Sequence, residues 1–242
     1  MHLRGILRRA LNWAIRLGLL SRNVAALARP PRLERHEIEP FTPDEARSFL
    51  TAIEGDRLEG LYIAALFSGL RQGELLGLRW QDVDLEAQEL RVVHALQRFD
   101  GKLRLVPPKT ARSRRSVSLP PLVVDALRRD KARQLEDRLL AGSRWVESGL
   151  VYTTRWGTPI EPRDATRSFK RLLARAQLRE IRFHDLRHSC ATLLLVQGVA
   201  PRVVMEMLGH SQISVTMNTY SHVLPALQRD AAQRLEALLR PS

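Results

Sequence analysis

The chain has little of several things, and each shortage removes a class. A single cysteine, Cys190, stands among its 242 residues, so no intrachain disulfide framework can form and the fold must rest on an apolar core. No apolar run reaches the roughly 20 residues that a membrane-spanning helix needs. The first residues lack the apolar core of a secretory signal. These two features read as a cytoplasmic protein with no membrane partner. Internal repeats and low-complexity segments are also absent. Acidic residues are outnumbered, with 26 Asp and Glu against 39 Lys and Arg and a formal net charge of +13. Such a balance suits a polyanion partner, above all nucleic acid, against the plainer reading of a basic solvated surface. Carboxylates do not cluster near the residues singled out below, which leaves a two-metal phosphoryl-transfer site without ligands.

What is present concentrates between Arg182 and Val223. The pattern there is helix, short turn, helix, Leu-Gly-His, helix, Tyr. His184 and Arg187 are three apart on an expected helix and share a face. Arg187 offers a planar fork suited to two phosphate oxygens. His184 and His210 can donate hydrogen bonds or move protons near neutral pH. Tyr220 is a phenol that becomes a nucleophile when a cation lowers its proton affinity. Cys190, in a small-residue slot of the same helix, reads as a buried structural thiol.

Upstream, Leu3 to Leu20 follows helical spacing with arginines between the apolar positions. A Pro-containing, charged linker then runs to Pro40. Thr42, Pro43 and Glu45 form a helix start with a capping box, and that helix should reach about Ile53. Leu58 to Ser68 is an almost wholly apolar helix that should be buried. It leads to Arg71, which sits after Gly69 and before another short helix, with Glu74 three residues on. Alone, Arg71 and Glu74 would read as a surface ion pair. From Glu89 to Leu119 the period changes. Leu90–Leu96, Leu103–Val106 and Arg115–Leu119 read as strands, with a hairpin turn at Phe99-Asp100-Gly101. The loop between the second and third strands is basic and carries Lys109. Helices are expected at 122–140, 163–176 and 225–239, a short strand at 149–152, and Trp156 as a packed aromatic. The expected class is therefore α+β, mainly helical, with a small antiparallel three-stranded sheet.

Four stretches carry a resemblance. HDLRHSCATLLLVQG at 184–198 and LGHSQISVTMNTYSHV at 208–223 resemble the C-terminal signature of the tyrosine recombinases, the phage-integrase type of site-specific recombinase, in spacing as well as residue type. SGLRQGELLGLRWQDVD resembles the family's first arginine motif, with Arg71 as its arginine and Glu74 as the acidic residue that supports it. PPKTARSRRSVSLP resembles its β-hairpin, with Lys109 at the catalytic lysine. The resemblance implies that 1–39 is the last helix of a core-binding domain with its linker, most of that domain being missing. Residues 40–242 would then be the catalytic domain with a tail helix, which packs either on its own chain or on a neighbouring protomer.

It also implies a metal-independent reaction on double-stranded DNA that needs no cofactor. Arg71 and Arg187 would bind the non-bridging oxygens of the scissile phosphate and Tyr220 would attack phosphorus. His184 would assist removal of the phenolic proton or support the phosphate, His210 would hydrogen-bond an oxygen, and Lys109 would protonate the leaving 5′-oxygen. A 3′-phosphotyrosyl link and rejoining to a new 5′-hydroxyl would follow, in integration and recombination of a mobile element. A homo-tetramer on paired DNA sites is implied, with a monomer in the absence of DNA. Three readings stay open beside it: a topoisomerase of the tyrosine type, a non-catalytic or weakly active DNA-binding remnant of a truncated integrase, and a purely structural all-helical module, which would leave the clustered cations unexplained.

Overall fold

The computed structural model describes residues 2–28, 39–107, 114–209, 232, 233 and 236. It divides into two compact units, Met1–Glu37 and Ile38–Ser242. In the first unit, α1 (His2–Arg16) and α2 (Val24–Leu27) form a helical pair. The helix expected to reach Leu20 stops at Arg16, with Gly18 in the left-handed region at φ 73°. Asn23 turns the chain back by donating to the Arg8 carbonyl and to Asn12 Oδ1.

The second unit opens with α3 (Pro43–Ala52). Its start follows the expected chemistry: Thr42 Oγ1 accepts from the Glu45 backbone N–H, and the Glu45 carboxylate accepts from the Thr42 N–H at 2.8 Å. The next helix, α4 (Glu59–Ser68), has no polar face, and eight of its ten residues are buried. It is the central helix, packed against α6 (Pro121–Ala141) and α8 (Asp185–Val196). Around it, Phe41, Phe49, Tyr62, Phe169 and Phe183 stack edge-on and tilted, with ring centroids 5.5–6.3 Å apart. That cluster joins α3, α4, α7 (Pro162–Arg175) and the segment entering α8. Truncating one such ring costs about 3–5 kcal/mol.

Five strands follow α5 (Gln72–Leu76): β1 (Val83–Asp84), β2 (Glu89–Val92), β3 (Ala95–Phe99), β4 (Lys102–Val106) and β5 (Arg115–Ser118). A three-stranded antiparallel sheet is present, in the order β1-β2-β5, with Leu90 opposite Val117. Its membership differs from expectation. The run read as one strand, Leu90–Leu96, breaks at Val93-His94. Among the described residues its second half pairs only with β4, as a separate hairpin closed by Asp100 and Gly101 at φ 46° and 75°. The reason is α5, which lies against the β3 backbone. Cβ atoms added at Gly73 and Gly77 would come within 2.9 and 2.7 Å of Leu96 O and N, so two side-chain-free positions let helix and strand meet backbone to backbone. Residues 149–152 form no strand, only an isolated bridge from Leu150 to Arg79. Trp156 is half exposed, beneath the Arg144 guanidinium at 4.3 Å.

Last in the described core are α8 and α9 (Pro201–Leu208). Among the described residues no helix is long and apolar enough to cross a membrane. The helix expected at 225–239 lies outside the described residues apart from 232, 233 and 236, which are helical.

Candidate active site

The turn after α4 is the seat of the site. Gly69 ends the helix at φ 60°, and a Cβ there would stand 2.5 Å from Leu208 Cδ2. Glycine therefore satisfies both the left-handed cap and the close approach of α9. The Gly69 carbonyl accepts from Arg187 Nη1 at 2.7 Å. Arg187 lies one turn into α8 and is only 3% exposed. Two residues past Gly69, Arg71 precedes α5. Its backbone N–H donates to Glu74 Oε2 at 3.0 Å and its Nη1 to Glu74 Oε1 at 2.7 Å. The Arg71 side chain is 41% exposed, against 4% for Glu74. Its Nη2 reaches the Gly209 carbonyl at 3.4 Å.

His184 sits at the start of α8 and keeps solvent access. That helix start is held locally. The Asp185 carboxylate accepts from the Arg182 backbone N–H and pairs with its guanidinium at 2.8 Å. Ser189 Oγ accepts from the Phe41 N–H and donates to the Asp185 carbonyl. Loss of hydration around the His184 ring, then the cations Arg187 and Arg71, hold it below the ordinary histidine value. That shift favours the neutral ring, which can accept a proton. The His188 ring meets it edge-on, 5.2 Å between centroids. Desolvation, then the repulsion from His184 once that ring is protonated, push His188 down to about 4. Cys190 is buried, and burial raises its thiol to about 12, which leaves it no thiolate near neutrality.

Of the residues singled out in the sequence, Arg71, Glu74, His184 and Arg187 are thus brought to one turn and one helix start. Lys109, His210 and Tyr220 lie outside the described residues. Sequence reasoning overlooked Arg115. It appeared as an ordinary strand residue, yet its guanidinium is 7% exposed and pairs with Glu74 at 2.9 Å. The signal was parity, because Arg115 shares a strand face with the core residue Val117. His188 was overlooked as well, although it stands four residues after His184, where two side chains share a helix face.

Two guanidinium groups anchored at one turn, with a neutral imidazole beside them, make a cationic, hydrogen-bond-donating cradle for a tetrahedral oxyanion. Several known proteins resemble the chain over most of its length. A tyrosine recombinase XerC-like protein of Caldanaerobacter subterraneus subsp. tengcongensis is 36% identical, over 98% of this chain and 65% of its own length. The ICEBs1 integrase of Bacillus subtilis is 31% identical, over 93% of this chain and 62% of its own length. The chain therefore spans less than two thirds of these relatives. Among solved structures, the Tn1549 transposon integrase in complex with a circular intermediate DNA superposes with a TM-score of 0.78 at 24% identity, covering 97% of this chain and 78% of that one. XerA recombinase does so at 0.64 and 22% identity, covering 90% and 72%. The family model described as the phage integrase family matches residues 39–226, and the chain belongs to that family.

Proposed function

We propose that this chain cleaves and rejoins DNA at specific sites through a covalent link between Tyr220 and the 3′-phosphate, in the recombination of a mobile element. The observation that carries the reading is the convergence of Arg187 and Arg71 on the turn after α4. One guanidinium is buried and anchored on the Gly69 carbonyl, the other is braced by Glu74 and open to solvent. Such a pair suits the two non-bridging oxygens of a phosphodiester, whose charge grows in the transition state. Neutral His184 suits removal of the tyrosine proton, and His210 and Lys109 complete the set by donating to an oxygen and to the leaving 5′-oxygen. The relatives' names support the reading. So do the DNA-bound neighbours, such as the lambda integrase dimer bound to a COC′ core site. Residues 1–39 are the end of a core-binding domain and its linker, and 40–242 the catalytic domain. Double-stranded DNA is the substrate, and a tetramer on paired sites the working assembly.

The test is covalent trapping on nicked duplexes spanning the ends of the mobile element, with EDTA present. A denaturation-resistant adduct that maps to Tyr220 and disappears in Tyr220→Phe, while DNA binding persists, is the expected outcome. An adduct retained by Tyr220→Phe refutes the nucleophile. Binding without any adduct favours a DNA-binding remnant.

A further inference from the structure

Strand parity puts Arg115 on the same face as Val117, whose side chain is in the core. A cation on that face must be paired, because an isolated buried charge is strongly disfavoured. Its guanidinium spans two elements. Nη2 and Nη1 donate to Glu74 Oε2 and Oε1 at 2.9 and 3.4 Å. Nε donates to the Met207 carbonyl, near the end of α9, at 2.6 Å. Glu74 holds both the backbone and the side chain of Arg71. Contact therefore runs from β5 through Glu74 to Arg71, with a branch to α9. At the end of that branch Gly209 has φ 69°, and a Cβ there would stand 2.9 Å from Arg115 Nη1. Glycine lets the guanidinium lie against the backbone immediately before His210.

We propose that Arg115 is the positioning residue of this site. It acts through Glu74 to fix the Arg71 guanidinium, and through Met207 to tie the end of α9 to the same anchor. The inference rests on the reading of Arg71 as a phosphate ligand.

Two physical effects separate this role from packing. The first is orientation. Arg71 is half in solvent and would sample many rotamers, but a carboxylate clamped from behind by a buried fork presents it in one. The second is charge. Glu74 alone would neutralise Arg71, whereas two arginines sharing one carboxylate leave one net positive charge for the phosphate to meet. The carboxyl itself reports this balance. Burial pushes Glu74 up, and the hydrogen bond and charge of Arg115, followed by those of Arg71, outweigh that and hold it below the usual carboxylate range. Among the described residues, Arg71 and Arg115 are the cations that face it. Arg115 has the larger influence, so its loss raises the proton affinity of Glu74.

The experiment uses the full chain with Arg115→Met and Arg115→Lys. Glu74 is titrated by 13C carboxyl NMR, assigned with Glu74→Gln. Single-turnover cleavage of the nicked duplexes is followed against pH, and DNA affinity is measured separately. In Arg115→Met the Glu74 titration should move up, cleavage should fall about 10- to 100-fold with DNA affinity retained, and the acid limb of the rate profile should move to higher pH. Arg115→Lys should restore the titration but not the full rate, since an ammonium cannot serve both carboxylate oxygens and the Met207 carbonyl. An unchanged Glu74 titration in Arg115→Met overturns the proposal, as does a rate loss that only tracks lost affinity with no pH shift. If Arg115→Met does not fold, a parent-like rate in Arg115→Lys overturns it. A parent chain that forms no adduct defeats the functional reading, and the Glu74 titration then decides by itself whether Arg115 governs the Arg71–Glu74 pair.

Discussion

Arg187 shows what a single side chain contributes here. It is buried at 3% exposure, and one edge of its fork is committed to the Gly69 carbonyl. Lysine keeps the charge but has a point-like head that cannot bond a backbone carbonyl and a phosphate in fixed geometry. Arg187→Lys should therefore slow adduct formation by about 100-fold or more with little loss of DNA binding, as measured in single turnover; cleavage close to the parent rate would count against the phosphate role. His188 makes a different prediction. Its folded-state value is depressed from 6.5 to about 4, so the folded state disfavours its protonation. The stability it contributes is fully present above 6.5 and is lost as pH falls towards about 4. Urea midpoints measured across that window should fall more steeply with acidification in the parent than in His188→Gln. Parallel curves would dismiss the assignment.

At the scale of elements, the stretch α4–turn–α5 holds the site. The helix was legible because every face of it is apolar, and its stop was legible because glycine follows. What the turn approaches was not legible. Leu208 is 139 positions away and blocks a Cβ at Gly69. Gly69→Ala combines a left-handed alanine with overpacking, and should lower stability by about 1–3 kcal/mol, read as a shift in thermal midpoint. A parent-like midpoint would mean that Leu208 swings aside and the left-handed turn relaxes. The capping box at Thr42 and Glu45 was visible in the sequence because its donors and acceptors are three residues apart. The division of the strands between a sheet and a hairpin was not, because α5 draws β3 away, and strand propensity carries no information about which helix will lie against it.

The whole molecule adds a field to the site. A net charge of +13 spread over 242 residues attracts a polyanion whatever its sequence. If DNA lies along this surface and displaces counterions from several phosphates, affinity should drop by about 10³-fold or more between 50 and 200 mM salt. Fluorescence anisotropy across a salt series measures the slope, and a flat response would argue against an extended phosphate interface.

By itself the sequence determined the helix periods, the caps, the excess of positive charge and the spacing within the pairs Arg71–Glu74 and His184–Arg187, because each of these is either a matter of composition or written in residues a turn or two apart. Only the tertiary structure decided that Glu74 is shared by two arginines and that Arg71 reaches Gly209. Those partners lie 41 and 138 positions apart. Their meeting follows from how α4, α5, α8 and α9 bury their apolar surfaces together, a global balance that no local pattern encodes.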